Sequence, residues 1–169
     1  MNADRFRRVL AVACLSVLAA CQEVAEPSLP TPKEVASYYS YEGGVSAKLN
    51  GNVAEITVSQ PTSQLSRGGK LWAKVGPYVL LFSKETKRLF DDYPGLAGVR
   101  VITRVSRGPE VARAMLARNE LSEILWRRAL NIAGKARVDG TAKPGLLDDL
   151  VRWGEDHTQF EYSSRYTRR

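Results

Sequence analysis

VSAKLNGNVAEITV, residues 45–58, is the stretch that decides the fold class. Apolar and polar residues alternate on both sides of Asn50-Gly51, and an Asn-Gly pair suits the positive backbone angles of a type I′ turn. The stretch therefore predicts a β-hairpin, which places sheet structure early in the folded part of the chain.

Further strands are predicted downstream of the hairpin. The polar segment Gln60–Gly69 is typical of a loop, and it is followed by two short apolar runs, Leu71–Val75 and Tyr78–Phe82, on either side of Gly76-Pro77. The second run is almost continuously apolar, which favours a central strand covered on both faces. Partial alternation in Val99–Val105 predicts one more strand.

Helices are predicted between and after these strands. Ser83 is a suitable N-cap for a short helix that has Glu85 in its first turn and ends near Asp92. Gly108-Pro109-Glu110 is typical of a helix start, and apolar residues recur every three or four positions from Val111 to Ala133. The pattern leaves open whether residues 109–137 form one helix or two separated at Asn119.

A last helix is predicted from Pro144, with Gly154 at its end, and the alternating tail Gln159–Ser163 either adds an edge strand or stays loose. Together these elements predict an α+β domain: an antiparallel or mixed sheet of four to six strands with C-terminal amphipathic helices packed on one face. Because the strands come before the helices, a doubly wound parallel sheet is disfavoured.

The first 21 residues have the pattern of an export signal. Arg5, Arg7 and Arg8 precede an uncharged run of eleven residues, Val9–Ala19, which is too short to span a bilayer. The run ends in Leu18-Ala19-Ala20-Cys21.

This ending resembles the lipobox of bacterial lipoprotein precursors. The resemblance implies cleavage between Ala20 and Cys21, acylation of Cys21, and anchoring in a membrane through the acyl chains. Gln22 in place of an Asp implies sorting to the outer membrane, with the domain facing the periplasm. The resulting domains are a signal peptide (1–20), a lipidated, Pro-rich tether (21–37) that could reach about 50 Å, and one envelope domain (38–169).

The composition narrows the chemistry of the mature chain. The full chain of 169 residues suits one domain. Of its two cysteines, Cys14 leaves with the signal and Cys21 is acylated, so disulfides, cysteine nucleophiles and cysteine-bound metals are excluded from the mature chain. Loss of three Arg and one Asp lowers the net charge from +7 to +5. This positive surplus suits a location beside an anionic envelope surface. Export to the envelope disfavours nucleic acid as a partner.

His157 is the single histidine, so metal sites and acid/base pairs that need two histidines are excluded. A Ser-His-Asp triad remains possible by count, although no Gly-x-Ser-x-Gly motif is present. The acid pairs Asp91-Asp92 and Asp148-Asp149 are adjacent on helices and do not face each other, so they are expected to be solvated. No metal and no cofactor are expected.

Aromatic residues cluster at both ends of the predicted domain. If the first and last segments pair as strands, the rings and a nearby cation would share one sheet region and form a binding surface for glycan, headgroup or protein. The alternative is that the rings fasten the chain ends to the core. The residues of this candidate surface are Tyr38, Tyr39, Tyr41, Phe160, Tyr162, Arg165 and Tyr166.

The sequence therefore predicts a lipid-anchored envelope protein with a non-enzymatic binding or structural domain, whose partner is a protein, peptidoglycan or lipid. One alternative is a small periplasmic hydrolase that uses His157 or carboxylates distant in sequence. Another is an accessory lipoprotein of an envelope transport or secretion complex.

Overall fold

Pairs of strands and pairs of helices follow one another along most of the chain in the computed structural model, which describes residues 28–167. The predicted signal peptide, its cleavage site and Cys21 lie outside these residues, as do Arg168 and Arg169. The elements in chain order are α1 (Pro32–Ser37), β1 (Val45–Asn50), β2 (Val53–Gln60), α2 (Thr62–Leu81), α3 (Lys84–Asp92), β3 (Gly98–Val105), β4 (Glu110–Ala117), α4 (Glu123–Asp139), α5 (Pro144–His157), β5 (Gln159–Tyr162) and α6 (Ser164–Thr167).

Within the described residues the strands form one mixed sheet in the order β1-β2-β3-β4-β5. β2 and β3 are parallel and are connected through α2 and α3, whereas the other neighbouring pairs are antiparallel. The predicted α+β class, with a mixed sheet and helices packed against it, is confirmed. The predicted order of strands before helices is wrong, because β4 follows α3 and β5 follows α5.

The two faces of the sheet differ in chemistry. Ala54, Ile56 and Val58 of β2 lie on one face and are buried together with their neighbours on β3. On the opposite face Glu55 accepts from Lys48 at 2.9 Å and from Arg100 at 3.1 Å. Burial raises the pKa of Glu55, but the hydrogen bonds from the two cations outweigh it, so that the pKa lies below its ordinary value.

The strands predicted at Leu71–Val75 and Tyr78–Phe82 are wrong, because both runs belong to the helix α2. Most of the predicted loop Gln60–Gly69 is also helical, with a break at Gly69, where φ is +57°. Periodicity alone cannot separate a buried strand from a helix that is covered on several sides. Gly76 does not make a turn; a Cβ there would lie 2.9 Å from Thr103 Cγ2, so this glycine lets α2 approach the sheet.

The helix predicted from Gly108-Pro109-Glu110 is also wrong at its start, since residues 110–117 form β4. Ala112, Ala114 and Leu116 are buried at every second position and pair across to β3. Helix begins only at Glu123, after the N-cap Ser122. Residues 109–137 are therefore a strand followed by a helix, and neither one helix nor two.

The remaining predictions of elements are mostly confirmed. The β1–β2 hairpin, the Ser83-capped helix, the strand at residues 99–105 and the helix from Pro144 are present, and the tail forms the edge strand β5. Gly154 does not end α5, which continues to His157. A Cβ at Gly154 would lie 2.5 Å from the ring of Tyr78, so this glycine permits close packing of α5 on α2.

Arg118, just after β4, fastens the far end of α3. Its guanidinium donates to the backbone carbonyls of Phe90, at 2.8 Å, Tyr93 and Leu96. It also lies 5.0 Å from the centre of the Phe90 ring. One side chain thus bonds to a carbonyl in the last turn of α3 and to two carbonyls of the segment that follows it.

The domain begins earlier than the predicted boundary at residue 38. Thr31 and Glu34 form a capping box for α1, and Val35 is fully buried. The carbonyl of Ser28 accepts a hydrogen bond from the amide of Gly95 at 3.2 Å. The last ten residues of the predicted tether are therefore packed on the domain. In residues 28–167, no helix combines the length and the hydropathy needed to cross a bilayer.

Candidate functional site

Three of the predicted binding residues line a cavity of about 410 Å³, here called the tyrosine cavity. It lies where the segment after α1 meets α2, the start of α3 and the end of α4. Its walls are formed by Tyr38, Tyr39, Ser40, Tyr41, Trp72, Gly76, Val79, Leu80, Ser83, Glu85 and Arg137.

Local sequence rules place these side chains. Tyr38 is the C-cap of α1, so the chain leaves the helix there and carries the next residues across α2 and α3. The Ser83 hydroxyl accepts from the amide of Thr86, which starts α3 and sets Glu85 in its first turn. Arg137 lies in the last turn of α4, where a cation suits the partial negative charge of the helix end.

The hydroxyls of two wall tyrosines are already engaged. Tyr38 donates to the Asp92 carboxylate at 2.5 Å, and the Tyr39 and Thr86 hydroxyls share a hydrogen bond at 2.9 Å. Burial and the bond to Asp92 raise the pKa of Tyr38 to about 12, and burial also raises the pKa of Tyr39. Both hydroxyls are protonated at neutral pH, and they fix the wall in place.

Other polar side chains of the wall have hydrogen-bonding or charged groups left without a partner among residues 28–167. Within residues 28–167 no hydrogen bond reaches the Tyr41 hydroxyl or the Trp72 indole nitrogen, and Glu85 forms no ion pair. Arg137 donates from Nη2 to the carbonyl of Val79 at 2.9 Å and likewise forms no ion pair. These groups can bind a ligand without breaking an existing bond.

The C-terminal aromatic residues do not join this cavity. β1 and β5 occupy opposite edges of the sheet, so the predicted pairing of the first and last segments is wrong. Phe160 is 43% exposed and packs on Tyr162 at 4.9 Å between ring centres. Arg165 and Tyr166 line a separate cavity of about 540 Å³ beside Gly69 and Lys70.

Tyr162 fastens the tail to the helices. Its hydroxyl lies 2.5 Å from that of Tyr78, and Lys74, which is paired with Glu155 at 3.1 Å, sits 4.9 Å from the Tyr162 ring centre. Burial raises the pKa of Tyr78 to about 12 and also raises the pKa of Tyr162. Both keep their protons at neutral pH, so one hydroxyl donates to the other.

His157 lies at the last position of α5. Its Nδ1 is 3.4 Å from Glu120 Oε1, and its ring centre is 4.2 Å from that of Trp153. Within the described residues no serine hydroxyl bonds to it. This pairing has the acid and the base of a triad without the nucleophile.

The carboxylates of the adjacent acids Asp91-Asp92 and Asp148-Asp149 do not form two-carboxylate sites. Asp91 pairs with Lys87 at 3.2 Å while Asp92 binds Tyr38, and Asp148 pairs with Arg152. Within residues 28–167, no group of three or more His, Cys, Asp or Glu side chains is arranged to hold a metal ion.

Eight of the eleven residues that line the tyrosine cavity were not in the predicted binding surface, and three of these eight are Trp72, Glu85 and Arg137. Trp72 was assigned to the core of a strand, Glu85 only to a helix start, and Arg137 to no role. The one available signal was helical spacing in α2, which puts Trp72, Gly76 and Val79 on one side of that helix. The contact of this side with Tyr38–Tyr41 depends on packing between distant segments.

In comparisons with known proteins, no family model, no curated protein and no solved structure matches this chain.

Proposed function

We propose that this chain is a lipid-anchored envelope protein whose domain binds a partner through the tyrosine cavity without catalysing a reaction. The anchoring part is supported by the lipobox Leu18-Ala19-Ala20-Cys21 and the charged and apolar segments before it. In this proposal, acyl chains on Cys21 hold the domain at the outer membrane, on the periplasmic side.

One observation carries the binding part of the proposal. The tyrosine cavity combines aromatic walls with polar groups that have no partner within residues 28–167, namely the Tyr41 hydroxyl and the Trp72 indole N–H. Glu85 and Arg137 add two charges that form no ion pair there, although Arg137 donates one hydrogen bond to the Val79 carbonyl. Cavities of this size with a few converging polar groups are the usual sites for small ligands. Two other wall hydroxyls are held by hydrogen bonds, which keeps the cavity formed before a ligand arrives.

The anchor is tested with the full-length chain in its native cells, grown with an alkyne-labelled fatty acid. We expect the label on the mature protein and the protein in the membrane fraction, and we expect Cys21→Ala to lose both. Unlabelled protein recovered from the cytosol with residues 1–20 still attached would contradict the proposal.

The binding part is tested by cross-linking in intact cells. Trp72→Ala should abolish cross-links to envelope components, whereas Phe160→Ala, which removes an exposed ring at the other edge of the sheet, should preserve them. Equal cross-linking by the two variants would argue against a role for the cavity.

A periplasmic hydrolase is the second candidate, because His157 and Glu120 lie 3.4 Å apart. Such an enzyme would need a nucleophile or an activated water at the free side of the imidazole. His157→Ala should abolish function if the protein is this hydrolase, and should leave cross-linking unchanged if the tyrosine cavity is the functional site.

A further inference from the structure

Two side chains of the tyrosine cavity carry opposite charges and form no ion pair within residues 28–167. Glu85 is half-buried and Arg137 is exposed, and both residues line the cavity. A purely anionic ligand would meet Glu85, and a purely cationic one would meet Arg137. A zwitterion satisfies both groups at once.

The aromatic walls favour one kind of cation. Ring faces of Tyr and Trp attract alkylated ammonium groups through their electron density, and the attraction strengthens when water is excluded. Tyr39, Tyr41 and Trp72 provide three such rings. Tyr38 is not counted among them, because the Arg88 guanidinium already lies 4.8 Å from its ring centre.

A quaternary ammonium suits this wall better than a primary one. A primary ammonium carries three N–H donors that each need an acceptor. The Tyr39 and Ser83 hydroxyls are already bonded to Thr86, which leaves Glu85 as the one charged acceptor of the wall. A quaternary ammonium has no N–H group and needs only ring faces and a nearby carboxylate.

The donors of the wall favour a phosphate as the anionic part. Arg137 keeps N–H groups besides the one bonded to Val79, and the Tyr41 hydroxyl and the Trp72 indole N–H have no partner in the described residues. A phosphate offers several acceptor oxygens to such a set. The cavity volume of about 410 Å³ has room for a group of this size.

We propose that the tyrosine cavity binds phosphocholine, with the quaternary ammonium against Tyr39, Tyr41, Trp72 and Glu85, and the phosphate on Arg137. This inference rests on the proposed binding function. The same chemistry is offered by a free phosphocholine ester and by the headgroup of a phosphatidylcholine bilayer.

The test uses the full chain, purified in a maltoside detergent and titrated with phosphocholine by calorimetry. We expect saturable binding that Glu85→Gln and Trp72→Phe each weaken about tenfold, since each removes part of the cation site. Glu85→Gln conserves shape, so its effect does not depend on misfolding. The matched controls Glu161→Gln and Phe160→Ala, both on β5, should bind as the parent does.

Choline alone separates the two halves of the site. Arg137→Gln should lower the affinity for phosphocholine while leaving the affinity for choline unchanged. Glu85→Gln should lower both. This split would not arise from a general loss of structure.

Vesicles distinguish the two sources. The lipidated chain in phosphatidylglycerol vesicles should bind free phosphocholine with its full affinity. In phosphatidylcholine vesicles the apparent affinity should fall if headgroups fill the cavity, and should be unchanged if the ligand is a soluble ester.

The absence of phosphocholine and choline binding by folded protein would overturn this inference. Binding that none of the three cavity variants changes, or a preference for N-acetylglucosamine oligomers that depends on Trp72 and not on Glu85, would also overturn it. If Trp72→Ala still lost its cross-links in cells, the proposed function would survive with another ligand. If it kept them, both would fail.

Discussion

The two aromatic clusters of the domain lie in different surroundings. Tyr38, Tyr39 and Tyr41 follow α1 and form the wall of a cavity, beside polar groups without partners. Phe160 and Tyr162 alternate along β5, at the other edge of the sheet, where the Tyr162 hydroxyl is bonded to Tyr78.

The difference comes from what lies opposite each cluster. The first cluster lines the tyrosine cavity together with residues of α2, α3 and α4. The second meets α2 directly through the hydrogen bond between the Tyr162 and Tyr78 hydroxyls, and Gly154 lets α5 pack against the same Tyr78 ring. Aromatic spacing alone therefore does not separate residues that line a cavity from residues that fasten the end of the chain to the helices.

The largest effect is expected from Arg118→Ala, which breaks the frame of the first cluster. It leaves the carbonyls of Phe90, Tyr93 and Leu96 without their donor, at a cost of about 3 kcal/mol in the free energy of unfolding. Because α3 also carries Glu85, ligand affinity should fall as well. Urea denaturation and calorimetry check both effects, and Arg118→Lys should recover part of the stability.

Gly154→Ala should break the second cluster and spare the first. Its Cβ would lie 2.5 Å from the Tyr78 ring, and such overpacking costs about 2 kcal/mol. The control is Gly134→Ala in α4, which meets nothing within 4 Å and should raise stability by about 0.5–1 kcal/mol. An equal response of the two variants to urea would contradict the proposed packing of α5 on α2.

Tyr162→Phe and Tyr41→Phe compare one hydroxyl from each cluster. Removing the Tyr162 hydroxyl deprives the fully buried Tyr78 of its partner and should lower stability by about 1 kcal/mol. The Tyr41 hydroxyl has no partner within residues 28–167, so its removal should change ligand affinity and leave thermal stability unchanged. The reverse result would exchange the roles of the two clusters.

The smallest effect is expected at Glu55, which is remote from both clusters on the charged face of the sheet. Its folded pKa lies below the ordinary value of 4.5, so its stabilising contribution is complete above that pH and is lost as the pH falls through the folded pKa. Glu55→Gln should therefore flatten the fall in stability below pH 4.5, measured by urea denaturation at pH 7 and pH 3. Ligand affinity at pH 7 should not change.

The fold could be predicted where local rules act alone. Asn50-Gly51 specified the first hairpin, Ser83 specified the start of α3, and Pro144 that of α5. The errors at α2 and β4 arose because burial on several sides removes the polar stripe that identifies a helix, and because β4 has apolar residues at spacings of both two and three. At α2 and β4 the secondary structure depends on which other elements the segment packs against, and a single sequence does not show those contacts.

The candidate site could be predicted only in part. Tyr38, Tyr39 and Tyr41 were identified by their clustering, and they do line a cavity. Trp72 and Arg137 reach the same cavity from helices far away in sequence, and their contribution follows from how α2 and α4 pack. The pairing of the two aromatic clusters was wrong because it depended on which strand takes which edge, a property of the whole sheet.

The hydrogen bond from the Gly95 amide to the Ser28 carbonyl and the burial of Val35 limit how far the tether of the proposed lipoprotein can extend. Six residues separate Cys21 from Ser28, and a stretch of that length covers at most about 25 Å. With acyl chains on Cys21, the domain would stay against its own membrane, too close to span the periplasm. Its ligands would then be molecules that belong to, or pass near, the surface in which it is anchored.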